Sequence, residues 1–157
     1  MSIPSGVPEH LHTVTPRLVV SDGAAAIDFY AQAFGAKETG QRFLDPDGRV
    51  IHAEVEIGDS VVMITEAGVD AAGSEGSAGQ PPVTAIMATY WRDVETAWER
   101  ALRAGAEVIY PLADHFYGER SGRLRDPFGQ EWMLSQRIEH LSPEEIDLRA
   151  RQFFAGE

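Results

Sequence analysis

Apolar residues recur along this chain in two rhythms, period two and period three to four, and the order of rhythms is used twice. Thr13 to Val20 reads T-V-T-P-R-L-V-V, which predicts a strand with Thr13, Thr15, Arg17 and Val19 on one face. Pro16 within it marks an edge or a bulge, because proline has no N–H to give a ladder. Ser21 or Asp22 then caps a helix whose Ile27, Tyr30, Ala31 and Phe34 form one apolar stripe, and Gly35 closes it. Strands are predicted at about 37–45, 50–57 and 60–66, separated by the Asp45-Pro46-Asp47-Gly48 turn and by Gly58-Asp59. In the middle strand Ile51, Ala53, Val55 and Ile57 alternate with His52, Glu54 and Glu56.

Residues 68–82 are rich in Gly, Ala and Ser without apolar periodicity and are expected to form a flexible linker. After them the order restarts: a strand at 83–91, a helix at 93–104 with Val94, Ala97, Trp98, Ala101 and Leu102 on one face, and a closing Gly105. A strand at about 107–113 follows, then a hairpin across the Asp126-Pro127-Phe128-Gly129 turn. On its first arm Arg123 and Arg125 flank Leu124; on its second, Glu131, Met133 and Ser135 alternate with Trp132 and Leu134. Gly35-Ala36-Lys37-Glu38 and Gly105-Ala106-Glu107-Val108 hold equivalent places, so the repeat is about 70 residues long. The fold class is therefore α+β, built from two βαβββ modules at 13–67 and 83–136 within one domain overall. Residues 1–12 form an N-terminal arm. Residues 137–157 carry a last helix, opened by the Ser142-Pro143-Glu144-Glu145 capping box, whose Phe153 and Phe154 are expected to dock on the domain or on a second subunit.

Composition narrows the classes. At 157 residues, 43% hydrophobic and 24% charged, the chain is an ordinary globular one. It has no run of about 18 apolar residues, so no membrane span is expected, and no secretion signal is read at its start. The absence of cysteine excludes disulfides, thiolate metal sites and cysteine nucleophiles, and fits a cytoplasmic location. A net charge of -12 argues against a nucleic-acid partner, which needs a basic footprint. Lys37 is the sole lysine, so the basic chemistry belongs to arginine.

The paired modules, with I-D-F-Y-A-Q-A-F-G, H-A-E-V-E-I-G-D-S-V-V-M and G-E-R-S-G-R-L-R-D-P-F-G, resemble the vicinal oxygen chelate superfamily, and within it the PhnB-like branch of glyoxalase/bleomycin-resistance proteins. The resemblance implies curved mixed sheets around a cleft, plus a C-terminal helix in this chain, and usually a homodimer. Metal-using members carry His, Gln or Glu on the first and fourth strands of each module. Laid on this chain, those places fall at Thr15, Met63, Ile86 and Met133, a set unsuited to a hard divalent ion. The expectation is no metal and no cofactor. Gln130 also stands where relatives commonly carry histidine after D-P-F-G. His10 and His12 lie in an irregular arm without a supporting shell, and are not expected to chelate a metal.

Three functions stay open. The first is a metal-independent protein binding a small organic molecule, an aromatic or anionic metabolite or antibiotic, through Arg17, Met63, Tyr90, Tyr117, Arg123, Glu131 and Met133. Arginine anchors carboxylate or phosphate bidentately, methionine adapts its shape, and aromatic rings stack. Arg120 and Arg125 are further candidate anchors, and Trp91 a further flat wall. The second is a lyase, isomerase or dioxygenase-type enzyme, with His52 as a base oriented by Glu54, or with an unrecognised metal site. The third is a structural dimeric module with a vestigial cleft.

Overall fold

A computed structural model of the chain describes residues 6–69 and 85–156. Two compact units, Met1–Pro81 and Pro82–Glu157, each hold one four-stranded sheet. The first contains β1 (Arg17–Val20), α1 (Gly23–Phe34), β2 (Lys37–Leu44), β3 (Val50–Ile57) and β4 (Ser60–Glu66), in sheet order β1-β4-β3-β2. The second repeats this as β5 (Ile86–Tyr90), α2 (Val94–Ala104), β6 (Glu107–Asp114), β7 (Glu119–Arg125) and β8 (Glu131–Arg137), in order β5-β8-β7-β6. It ends with α3 (Pro143–Ala155). In both units the first strand runs parallel to the fourth and the other pairs are antiparallel. The expected βαβββ repeat and α+β class are therefore observed. Most of the expected linker, from residue 70 on, lies outside the described residues.

The helices begin and end where side chains satisfy their free backbone groups. Asp22 and Asp93 cap α1 and α2 by accepting from Ala25 and Thr96 N–H, and Gly35 and Gly105 close them in the left-handed region. Ile27, Tyr30 and Phe34 are buried as expected, together with Phe29 and Ala33, whereas Ala31 is exposed and lies outside the stripe. On α2, Val94, Ala97, Trp98 and Ala101 are buried and Leu102 sits at the rim. Trp98 lies directly against Gly122 of β7, where a Cβ would stand 2.6 Å from the indole.

Local irregularities re-aim the strands. The expected strand from Thr13 shortens to Arg17–Val20: Pro16 has no N–H, although its carbonyl still accepts from Met63 N at 2.8 Å. In β3 the alternation slips. Phe43 stands opposite His52 and Leu44 opposite Val50, so Ile51 is an extra, bulged residue. Val50 is buried and Ile51 exposed, the reverse of the simple alternation. The bulged carbonyl of Ile51 accepts from Thr65 Oγ1 at 2.8 Å and from Arg17 Nη2 at 3.3 Å. A second bulge lies in β6: Val108 faces Leu124 but Tyr110 faces Arg123, next to Pro111. That slip places Tyr110 opposite Arg123, one residue along β7 from the Leu124 position.

Candidate functional site

Each sheet buries one face under its helix and carries chemistry on the other. In the second unit Leu124, Trp132 and Leu134 point to the core, while Arg123 and Arg125 of β7 stand opposite Met133 and Glu131 of β8. Ala88 of β5 lies beside Met133, and Ser121 and Ser135 share a buried hydroxyl contact of 2.8 Å on the same row. Glu131 is only 7% exposed; its carboxylate accepts from Arg125 Nη2 at 3.1 Å and stands 3.6 Å from Arg123 Nη1. The Arg123 guanidinium lies over the Tyr110 ring, 5.1 Å from its centroid. Its Nε is buried and, among the described residues, makes no hydrogen bond. An unmade hydrogen bond at a buried charged donor is costly, about 1–3 kcal/mol or more.

The turn that carries this face is built by one carboxylate. Asp126 Oδ1 accepts from Phe128 and Gln130 N–H at 2.9 and 3.0 Å, and Oδ2 accepts from Trp132 Nε1 at 2.9 Å. Gln130 Nε2 donates to Ala85 and Glu131 carbonyls, tying the start of β5 to β8. In this chain the residue after D-P-F-G is therefore a brace.

In the first unit, Arg17 rather than Thr15 lies beside Met63, and Glu54 stands opposite Met63 on the other side. In the second unit Ala88, rather than Ile86, is the residue beside Met133. His52 Nε2 approaches Glu54 Oε1 at 3.7 Å, so the expected pair does share a face. His10 of the arm reaches Glu54 Oε2 at 3.2 Å, a contact the sequence reading missed because the two residues are 44 apart. By register Glu54 and Glu56 occupy the places that Arg123 and Arg125 hold in the second unit. The duplicated face is thus acidic in one copy and basic in the other.

The remaining expected residues divide. Tyr90 lies at the end of β5, exposed, and its hydroxyl donates to Glu119 at 3.3 Å; that hydrogen bond holds the phenol above its ordinary pKa, with burial adding to it. Tyr117 stacks on His115 at 5.1 Å, and burial, then the Glu119 charge, raises its pKa. Arg120 lies one residue out of step with Arg123 and Arg125 and is occupied by Asp114 at 2.7 Å and Glu95 at 3.1 Å. Asp114 is held below the usual carboxylate range by that arginine. Tyr110 was missed by the sequence reading, and Pro111 beside it was the available signal of a bulge. Among the described residues, no group of three or more His, Asp or Glu side chains is arranged to hold a metal ion.

A repeated βαβββ unit with one furnished sheet face defines a class of protein, and comparison agrees: the chain belongs to the Glyoxalase/Bleomycin resistance protein/Dioxygenase superfamily, matched over residues 10–134. It is 40% identical over 137 residues to an uncharacterized protein of Mycobacterium bovis, covering 85% of this chain and 88% of that one. A superfamily enzyme from Burkholderia phytofirmans has the same fold, with a TM-score of 0.64 at 17% identity, covering 78% of this chain and 95% of that one. A PhnB protein from Bacillus cereus gives a TM-score of 0.58 at 20% identity, covering 80% and 99%.

Proposed function

We propose that this protein binds a small anionic organic molecule, without a metal, on the Arg123 face of its second unit. The observation that carries this reading is the buried, unpaired Nε of Arg123, whose guanidinium lies over Tyr110, opposite Met133 and next in the row to the Ser121–Ser135 pair. Of the two arginines on this face, Arg125 makes the hydrogen bond to Glu131, whereas Arg123 stands 3.6 Å from it and makes none there. The Arg123 side chain is 30% exposed, so an oxyanion reaching its guanidinium gains a charge-assisted hydrogen bond, and Tyr110 and Met133 offer the flat and the adaptable surfaces an aromatic ligand uses. The metal-independent part rests on donor chemistry: Arg17 beside Met63 and Ala88 beside Met133 offer no oxygen or imidazole. A homodimer and a cytoplasmic location belong to the same proposal.

Titration with benzoate by isothermal calorimetry tests it, followed by the same titration of Arg123→Gln. Saturable binding, weakened about 10- to 100-fold in the variant, is the expected result, since a hydrogen bond to a charged group contributes about 1.5–3 kcal/mol. Equal affinity in both proteins would sink the reading.

One observation favours a second reading, proton transfer in the first unit. Glu54 is approached by two imidazoles, His10 at 3.2 Å and His52 at 3.7 Å, so its carboxylate can orient either ring as a base. His52→Asn removes one of those bases and leaves the Arg123 face intact. Under this reading turnover of any substrate found falls with His52→Asn, while benzoate affinity stays.

A further inference from the structure

Beyond the Arg123 face, an open pocket of about 550 Å³ lies wholly within the second unit, lined by Tyr90, Trp91, Arg92, Gln136 and Arg137. We propose that it is a separate binding site for an aromatic oxyanion, a flat ring carrying a carboxylate or a phosphate.

Charge is the first argument. The chain has 25 acidic residues against 13 basic ones, so a carboxylate partner for an arginine is easily found. Arg42, Arg49, Arg120, Arg125, Arg149 and Arg151 each have one. Arg17, Arg92, Arg100, Arg103 and Arg137 make no ion pair among the described residues; of these, Arg92 and Arg137 line one pocket, no carboxylate lines it with them, and neither makes a side-chain hydrogen bond. Glu119, opposite Arg137 on β7, is the nearest acid in register, and its carboxylate accepts the Tyr90 hydroxyl.

The walls are fixed in advance. Trp91 N–H donates to the Ser135 carbonyl at 2.8 Å, and its indole Nε1 donates to Thr89 Oγ1 at 2.7 Å. Thr89 Oγ1 in turn donates to the Met133 carbonyl at 2.8 Å, so the ring is held by a chain of hydrogen bonds anchored in β8. Gln136 Oε1 accepts from Val94 N–H at 3.0 Å, and its Nε2 makes no hydrogen bond among the described residues. Two guanidinium groups, one amide donor and two aromatic rings thus line one side of an open volume within the usual small-ligand range of about 300–1,000 Å³. Donors without acceptors select an anion, and the indole and phenol select a ring.

The experiment follows the three indole N–H signals in ¹⁵N-labelled full-length protein. Trp98 and Trp132 are 9% and 2% exposed, so Trp91 is the reporter at the pocket. The probes are benzoate and phenyl phosphate, with inorganic phosphate as the ring-free control. The expected result is a saturable shift of the Trp91 signal alone by at least one aromatic probe, the tighter of the two naming the anion. Inorganic phosphate binds at least about tenfold more weakly, and the R92Q/R137Q double variant loses at least about tenfold in affinity. Arg123→Gln keeps the Trp91 response, so failure of the Arg123 face and failure of this pocket are told apart. In the unmodified protein, raising salt from about 50 to 500 mM weakens the response severalfold, a readout that needs no variant. No saturable Trp91 shift with either aromatic probe overturns the proposal; so does an unchanged affinity in R92Q/R137Q, or loss of the response in Arg123→Gln.

Discussion

Asp126 shows how much a single side chain can hold. It is 4% exposed and satisfies two backbone N–H groups and the Trp132 indole. Asp126→Ala orphans all three donors, and chemical denaturation is expected to report a loss above about 2 kcal/mol, since each buried unsatisfied group costs about 1–3 kcal/mol. If the loss is a few tenths instead, the turn is not braced in this way. Gly122 makes the opposite case, a residue chosen for what it lacks. Gly122→Ala drives a Cβ into Trp98 at 2.6 Å and should destabilise the second unit by about 1–3 kcal/mol, the usual range for overpacking. The D-P-F-G turn was legible in the sequence from Pro and Gly alone. That its aspartate also grips Trp132 was not, because the hairpin must close before the two meet.

At the scale of elements, the capping box of α3 and the docking of its phenylalanines were readable, and the residues they dock on were not. Ser142 and Glu145 form the capping box the sequence announces. The helix is held onto its unit by Arg149, which pairs with Glu139 at 3.0 Å and reaches the Phe116 carbonyl at 3.3 Å, and by Phe153 against Phe116 at 5.0 Å. Phe153 and Phe154 nonetheless remain more than half exposed, at 61% and 67%. Arg149 holds the Glu139 carboxyl below its ordinary pKa. A carboxyl lowered on folding stabilises the fold above its unfolded value, about 4.3 for glutamate, and that contribution is lost as pH falls through the folded value. Hydrogen exchange should therefore show α3 amides less protected at pH 3 than at pH 7, and Glu139→Gln should remove most of that difference. An α3 equally protected at both pH values would show that the Arg149–Glu139 pair does not anchor it. Nearer the helices, Asp93→Ala removes the α2 cap and is expected to cost about 1 kcal/mol, read by thermal melting.

For the whole molecule, duplication followed by divergence is the governing fact. The two units repeat one strand order, yet Glu54 and Glu56 stand where Arg123 and Arg125 stand in the other copy. A duplicated scaffold keeps its helix-covered face, where packing tolerates only apolar residues, and leaves the other face free to change sign. Native mass spectrometry of the protein after dialysis is expected to give twice the 17.2 kDa chain mass, with no stoichiometric metal. One transition-metal ion per chain would return interest to His10, His52 and Glu54 and favour the enzyme reading.

The sequence by itself determined the repeat, the strand and helix order, the cap of the last helix at Ser142 and that of the first at Ser21 or Asp22, and the row shared by Arg123, Arg125, Glu131 and Met133. These follow from periodicity and turn chemistry, which act over a few residues. Only the tertiary structure decided which residues meet across strands: the bulges at Ile51 and beside Pro111 shift parity by one, placing Tyr110 opposite Arg123 and leaving Ile51 exposed. It also brought His10 to Glu54 and placed Arg92 and Arg137 on one pocket. Such meetings join residues about 45 positions apart, 44 for His10 and Glu54, and no local pattern encodes them because they depend on register, which packing of the whole sheet fixes.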